Sequence, residues 1–131
     1  MLQLTVATDP GFVREGTNIL VSDVLYIKKG TKRDRLLVHT FHGVYYMIGS
    51  LIHWVSFLNE NGYKFIISDR SHVLNVEKVK IVDSFYKDAY FECDTTKMSK
   101  KCPITHYRFT EVAIEMLIMN PGIIINGAAV E

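Results

Sequence analysis

Short apolar runs separated by polar turns fill most of the chain, a pattern typical of β-strands rather than long helices. The run at residues 24–27 is continuous, which predicts a strand covered on both faces. A Glu-Gly-Thr turn at residues 15–17 predicts a short hairpin. We predict strands at residues 12–14, 18–21, 24–27, 36–40, 44–48, 63–67, 79–85, 89–93 and 102–105.

Two segments follow the 3.6-residue period of an amphipathic helix instead. The first begins after Ser50, a good N-cap, and has apolar residues at positions 51, 54, 55 and 58 before it ends at Asn61-Gly62. Trp54 lies on this apolar stripe, so we predict it to be a core residue. The second helix has apolar positions 109, 112, 113, 116 and 117 and ends at the Asn-Pro-Gly of residues 120–122.

The two ends of the chain leave alternatives open. Residues 1–10, before the turn signal at Asp9-Pro10-Gly11, form either a short strand or a loose arm. The apolar residues 123–125 either pack on the body as an edge strand or meet another chain. We favour packing on the body, because one short apolar run seldom makes an interface by itself.

Length and composition fit one globular domain of 131 residues with 48% hydrophobic residues. The two cysteines, Cys93 and Cys102, are too few for a disulfide framework and form no CxxC pair, so we predict reduced thiols. There is neither a signal-peptide pattern at the start nor an apolar run that could span a membrane. We therefore expect a cytoplasmic protein.

Positive charge is concentrated in two turn-like segments, although the net charge is only +1. Of 15 basic and 14 acidic residues, residues 28–35 hold five basic and one acidic, and residues 97–108 hold four basic and none acidic. Six basic and 13 acidic residues remain elsewhere. Such local concentration suits contact with phosphates, whatever the net charge. The alternative is two ordinary solvated turns.

The most informative segment is residues 63–76, in which a strand leads into Ser68-Asp69-Arg70-Ser71 and then into an apolar pair and Asn75. An arginine fixed in so short a loop projects outward and can donate two hydrogen bonds to guanine O6 and N7. The alternative is a surface ion pair of Arg70 with Asp69 or Asp83. We predict a structural role for Asn75, whose side chain can bond backbone groups at the loop's exit.

The order of these motifs resembles the LytTR DNA-binding domain, from about Phe12 to Leu117. Residues 22–27, Ser-Asp-Val-Leu-Tyr-Ile, resemble the family's Asp-Ile-x-Tyr-Ile strand, and the Leu pair at 51 and 58 resembles its single helix. Residues 65–75 match its phenylalanine strand, Arg-Ser loop and Val-Asn pair. Residues 103–108, Pro-Ile-Thr-His-Tyr-Arg, resemble its Pro-Val-Ser-Arg segment before a terminal helix.

The resemblance implies a mainly β fold of small antiparallel sheets stacked in an elongated β-β-β arrangement, with one short central helix and a C-terminal helix. We expect an N-terminal arm at 1–11, the DNA-binding domain at 12–119 and a tail at 120–131. The family often carries a receiver domain, for which residues 1–11 are too short. The chain is therefore expected to be a free-standing bacterial regulator or a fragment, with two copies on repeated half-sites.

The resemblance also implies that three loops enter successive major grooves of double-stranded DNA. Asp34 cannot donate to guanine and would at best accept from cytosine N4. Asp69 replaces the usual histidine and His106 the usual arginine, so the target sequence stays open. The basic residues of the first loop suit phosphates. The predicted DNA-binding residues are Lys29, Lys32, Arg33, Asp34, Arg35, Asp69, Arg70, Ser71, His106, Tyr107 and Arg108.

Other functions have weaker support in the sequence. His39 and His42 have a possible metal-ligand spacing but lack a third ligand nearby, and no Gly-rich phosphate loop, nucleophile elbow or Cys–His pair occurs. We therefore predict no enzyme activity, metal or cofactor. The main alternative to DNA binding is a protein–protein interaction module that uses its edge strands or residues 123–125.

Overall fold

The computed structural model describes residues 1–127. These residues contain eleven strands and two α-helices. The strands are β1 Gln3–Val6, β2 Thr17–Leu20, β3 Val24–Lys29, β4 Arg35–Thr40, β5 Val44–Ile48, β6 Phe65–Asp69, β7 His72–Asn75, β8 Ile81–Asp83, β9 Asp88–Tyr90, β10 Lys101–Pro103 and β11 Ile124–Asn126. The helices are α1 Leu51–Glu60 and α2 Phe109–Met119. Short 3-10 turns occupy Val21–Asp23 and Val76–Lys78.

These strands form three sheets, as expected for stacked small β-sheets. The central sheet has five strands in the order β5-β4-β3-β7-β6, a second pairs β1 with β2, and a third has the order β10-β9-β8-β11. Every pairing is antiparallel except that of β11 with β8, which is parallel. The mainly β fold predicted from the sequence is confirmed.

The central sheet is covered on both faces, and β3 is buried accordingly. Val24 and Ile27 belong to the core under α1 and the β1–β2 pair, whereas Leu25 and Tyr26 belong to the core shared with the third sheet and α2. Two neighbouring residues face the same side because the pairing of β3 with β4 shifts register between Val24 and Tyr26. The predicted two-face burial of this strand is confirmed.

Helix α1 has the predicted ends. The Ser50 hydroxyl accepts a hydrogen bond from the His53 N–H at 3.2 Å, and Gly62, at φ +91°, follows its last turn. Trp54 is half-buried against the core, and its indole N–H donates to the Ile48 carbonyl at 3.1 Å. Gly49 makes room for it, since a Cβ there would lie 2.6 Å from the indole nitrogen.

The strand predicted at residues 12–14 and the hairpin turn at 15–17 are wrong. The Asp9 carboxylate holds this segment as a loop, and Phe12 has a left-handed φ of 57°. Strand β2 pairs with β1 instead. The carboxylate of Asp9 accepts hydrogen bonds from the backbone N–H groups of Gly11, Val13 and Arg14.

Both ends of the described chain pack on the body. Leu4 and Val6 of β1 are buried, so the first residues contain a strand rather than only a loose arm. Strand β11 lies beside β8, and Ile123 is buried, which confirms the favoured packing of residues 123–125. The rest of the predicted tail, residues 128–131, lies outside the described residues. The domain boundaries after residues 11 and 119 stay predictions.

Both thiols are free, as predicted. Cys93 is exposed, whereas Cys102 is buried beside the Ser68 hydroxyl, and burial raises the pKa of its thiol to about 12. Neither helix within residues 1–127 has the length and apolar character required to cross a bilayer.

Candidate nucleic-acid interface

Two of the three predicted DNA-binding loops leave the same end of the central sheet. Lys28 pairs with His72 where β3 ends and β7 begins, and the Lys29 N–H donates to the Ser71 carbonyl at 2.8 Å. The β3–β4 loop (residues 30–34) therefore lies beside the β6–β7 loop (residues 70–71).

The third loop, between β10 and α2 (residues 104–108), adjoins the β6–β7 loop from the other side. The Thr105 N–H donates to the Ser68 carbonyl at 2.7 Å. A cleft of about 500 Å³ is lined by residues 69–71 on one side and 103–106 on the other. The three loops form one continuous surface, here called the loop surface, with Arg70 at its centre.

The β6–β7 loop is held in shape by Asp69. Its Oδ1 accepts the Ser71 N–H at 2.8 Å and lies 2.8 Å from Nδ1 of His72. His72 is buried, with its ring 5.8 Å from that of Tyr26. The Asp69 carboxylate therefore bonds within its own loop, and His72 belongs to the core rather than to the exposed rim.

Arg70 projects from this loop and is exposed. Within residues 1–127 the ion pairs involve other arginines, lysines and histidines, and no carboxylate lies within 4.0 Å of the Arg70 guanidinium. The alternative of an ion pair with Asp69 or Asp83 is therefore not formed. The guanidinium is available to a ligand in front of the loop.

Lys32 and Arg33 extend into solvent from the β3–β4 loop, the Arg33 side chain being 96% exposed. Asp34 adopts a left-handed φ of 58°, which aspartate tolerates better than most residues, and its carbonyl accepts the Gly49 N–H at 2.9 Å. Its carboxylate is exposed and lies 4.0 Å from Nε of Arg33. The loop thus combines two exposed cations and one exposed acid on a fixed backbone.

Arg35 is placed differently from the other predicted phosphate-binding residues. Its guanidinium lies 4.4 Å from the centre of the Phe12 ring, a cation–π geometry. Its Nη1 is shielded from solvent and has no hydrogen-bond partner among the described residues. A phosphate contact of Arg35 stays a prediction.

The β10–α2 loop presents His106 and Tyr107 to solvent, the latter 95% exposed. Arg108 precedes α2, and its Nη2 lies 3.0 Å from Oε2 of Glu111. Such an exposed ion pair contributes only about 0–1 kcal/mol, so Arg108 can exchange it for a phosphate at little cost.

Asn75 is buried at the end of β7 that lies away from the loop surface. Its Nδ2 donates to the Val24 carbonyl at 2.8 Å, which ties β7 to the start of β3. The predicted structural role of this residue is confirmed, but its bond ties β7 to the start of β3 rather than fixing the exit of the loop.

His39 and His42 have no third metal ligand beside them in the part of the chain that the structure describes. Among residues 1–127, no group of three or more His, Cys, Asp or Glu side chains is placed to hold a metal ion. His39 stacks on Tyr26 with ring centres 4.3 Å apart, and its Nδ1 lies 3.3 Å from Nζ of Lys100. Burial, with the charges of Lys100 and Lys28, lowers the pKa of His39 to about 4.

A further loop at this end was missed from the sequence. The β8–β9 turn (residues 84–87) carries Phe85 and Tyr86, both largely exposed, and lies next to the β10–α2 loop. The signal was two adjacent aromatic residues, Phe85 at the end of the predicted strand 79–85 and Tyr86 directly after it, where polar turn residues are usual.

The fold is that of a LytTR-type domain. The chain is similar to the solved structure of a LytTr DNA-binding domain from Bacillus cereus, with a TM-score of 0.64 and 16% sequence identity. The similarity covers 88% of this chain and 95% of that one. No protein-family model matches the sequence, and no curated protein matches it.

Proposed function

We infer that this protein is a sequence-specific DNA-binding regulator of transcription that acts without enzymatic chemistry. The observation that carries the proposal is the loop surface, on which three loops meet at one end of stacked sheets. The LytTR-type fold supports the same function, because the similar Bacillus cereus structure is a DNA-binding domain.

The β3–β4 loop supplies affinity for the DNA backbone, and the β6–β7 loop supplies sequence preference. Lys29, Lys32 and Arg33 are exposed cations that suit phosphates, which position a protein on the duplex irrespective of sequence. Arg70 is exposed, lacks a carboxylate partner within the described chain and stands at the centre of the surface. It reads guanine through two hydrogen bonds in the major groove.

The remaining predicted residues tune this contact. Asp69 and Ser71 fix the shape of the central loop. Asp34 accepts a hydrogen bond from cytosine N4. His106 and Tyr107 are the exposed side chains that the third loop offers to DNA. Two copies bind repeated half-sites in the cytoplasm, and the interaction requires no cofactor.

A titration with mixed-sequence duplex DNA at low and moderate salt tests the proposal. The affinity is expected to fall steeply with salt, because binding releases counterions from the phosphates. A selection of bound sequences from a random pool then identifies the operator. Absence of binding at low salt would contradict the proposal and favour the protein–protein interaction module.

A further inference from the structure

The β8–β9 turn displays two aromatic rings, packed edge to face, in solvent. Phe85 and Tyr86 are 74% and 66% exposed, with ring centres 4.8 Å apart and planes at 88°. Oδ1 of Asp83 accepts both of their backbone N–H groups, at 2.8 and 3.0 Å, which fixes the backbone from which the rings project. Exposed rings on a fixed backbone offer apolar contact area at a small cost in conformational entropy.

This turn adjoins the loop surface. Asp88 pairs with Pro103 where β9 begins and β10 ends, and the Ile104 N–H donates to the Lys87 carbonyl at 2.8 Å. The β8–β9 turn and the β10–α2 loop therefore leave the third sheet at the same end. The row of loops that begins with residues 30–34 thus has a fourth member.

The charges of the turn are engaged within the protein. The Lys87 ammonium donates to the Ser84 carbonyl at 2.9 Å and lies 5.0 Å from the Phe109 ring centre. The Asp88 carboxylate lies 3.7 Å from Nζ of Lys101. The turn therefore presents rings rather than an uncommitted cation, and rings contact deoxyribose and bases rather than phosphates.

We propose that Phe85 and Tyr86 contact the minor groove of DNA that flanks the segment held by the other three loops. The rings pack on deoxyribose and wedge at a base step, so they add affinity that does not depend on counterion release. This inference rests on the proposed DNA-binding function.

The test compares wild type with the double variant Phe85→Ser/Tyr86→Ser on a labelled mixed-sequence duplex of about 30 base pairs, three helical turns. Phe41→Ser is the matched control, because Phe41 is 51% exposed in the β4–β5 turn at the opposite end of the central sheet. Anisotropy titrations at several salt concentrations give the affinity and the slope of log K against log salt for each protein.

The double variant is expected to bind about tenfold more weakly at every salt concentration, with an unchanged slope. The control Phe41→Ser and the ring-retaining variant Tyr86→Phe are expected to bind like wild type. Circular dichroism checks that each variant is folded, and if the double variant is not, the single variants Phe85→Ser and Tyr86→Ser replace it. The inference is overturned if the folded ring-deleted variants bind as tightly as wild type, or if only the slope of log K against log salt changes. If wild type itself binds no duplex, the proposed function is overturned.

Discussion

At the scale of single residues, the availability of Arg70 depends on what its neighbour does. Asp69 is the nearest carboxylate in sequence, yet its Oδ1 accepts the Ser71 N–H and faces the His72 imidazole. The same carboxylate that could neutralise Arg70 instead shapes the loop that presents it. A guanidinium on a preorganised loop loses less entropy on binding than one on a mobile loop.

Replacing Arg70 with alanine should lower sequence preference more than overall affinity. A bidentate contact to guanine discriminates by about 1–3 kcal/mol, and this difference should disappear from the ratio of operator to mixed-sequence affinity. Arg14→Ala is the matched control, since Arg14 is an exposed arginine in the N-terminal loop. An unchanged ratio in Arg70→Ala would remove Arg70 from base recognition.

Replacing Asn75 with alanine should destabilise the fold rather than alter DNA contacts directly. The Val24 carbonyl would lose its Asn75 partner in a buried position, at a cost of about 1–3 kcal/mol. Urea unfolding measures the loss. Asn18→Ala, which removes an exposed side-chain bond to Thr5, should change stability by less than about 0.5 kcal/mol, and equal effects of the two variants would contradict the structural role.

At the scale of elements, the sequence predicted correctly those features that depend only on neighbouring residues. The apolar run of β3, the N-cap Ser50 and the Asn-Gly stop of α1 act within a few residues, so the sequence sufficed. The partner of β2 is β1, across a loop of residues 7–16 that is too long for a turn signal to reveal. A short apolar pair at residues 12–13 suggested a strand at 12–14, although the Asp9 carboxylate binds this backbone as a loop.

The candidate site was likewise predicted only in part. Charge clustering and the family resemblance located the three loops, but not the engagement of Arg35 with Phe12 or of Arg108 with Glu111. The β8–β9 turn was also missed, because its place beside the β10–α2 loop follows from sheet pairing that no local pattern shows.

The β3–β4 loop should contribute affinity without sequence preference. Lys32→Ala combined with Arg33→Ala should weaken binding to all duplexes alike and reduce the slope of log K against log salt by about 2, one per lost phosphate contact. Lys80→Ala is the control, because this exposed lysine precedes β8 at the end of the third sheet opposite the turn. An unchanged slope in the double variant would show that Lys32 and Arg33 do not contact phosphates.

At the scale of the whole molecule, the loop surface exists only if the third sheet stays docked on the central sheet. The contact passes through a stack of rings, with His39 4.3 Å from Tyr26 and Tyr26 6.0 Å from Phe91. Lys100, in the segment that leads to β10, approaches His39 Nδ1 at 3.3 Å. Protonation of His39 would place a second positive charge beside this lysine, between the two sheets.

Acidification should therefore loosen the fold through His39. Burial, Lys100 and Lys28 lower its pKa in the folded protein to about 4, against about 6.5 in an unfolded chain. Between these values the unfolded state binds more protons, so the free energy of unfolding should fall as the pH falls from about 6.5 towards 4. His39→Gln should flatten this dependence, measured by urea unfolding at a series of pH values.

The comparison between variant and wild type isolates this effect from the carboxylates. Hydrogen bonds from the backbone N–H groups of Arg14 and Val13 lower the pKa of Asp9, so its protonation destabilises the fold only at lower pH. Burial raises the pKa of Asp88, so its protonation changes the free energy of unfolding in the opposite direction. Both groups remain in His39→Gln and cancel in the difference. His53→Gln, on the exposed side of α1, should follow the wild-type curve. Parallel curves for His39→Gln and wild type would show that docking of the third sheet does not depend on a neutral His39.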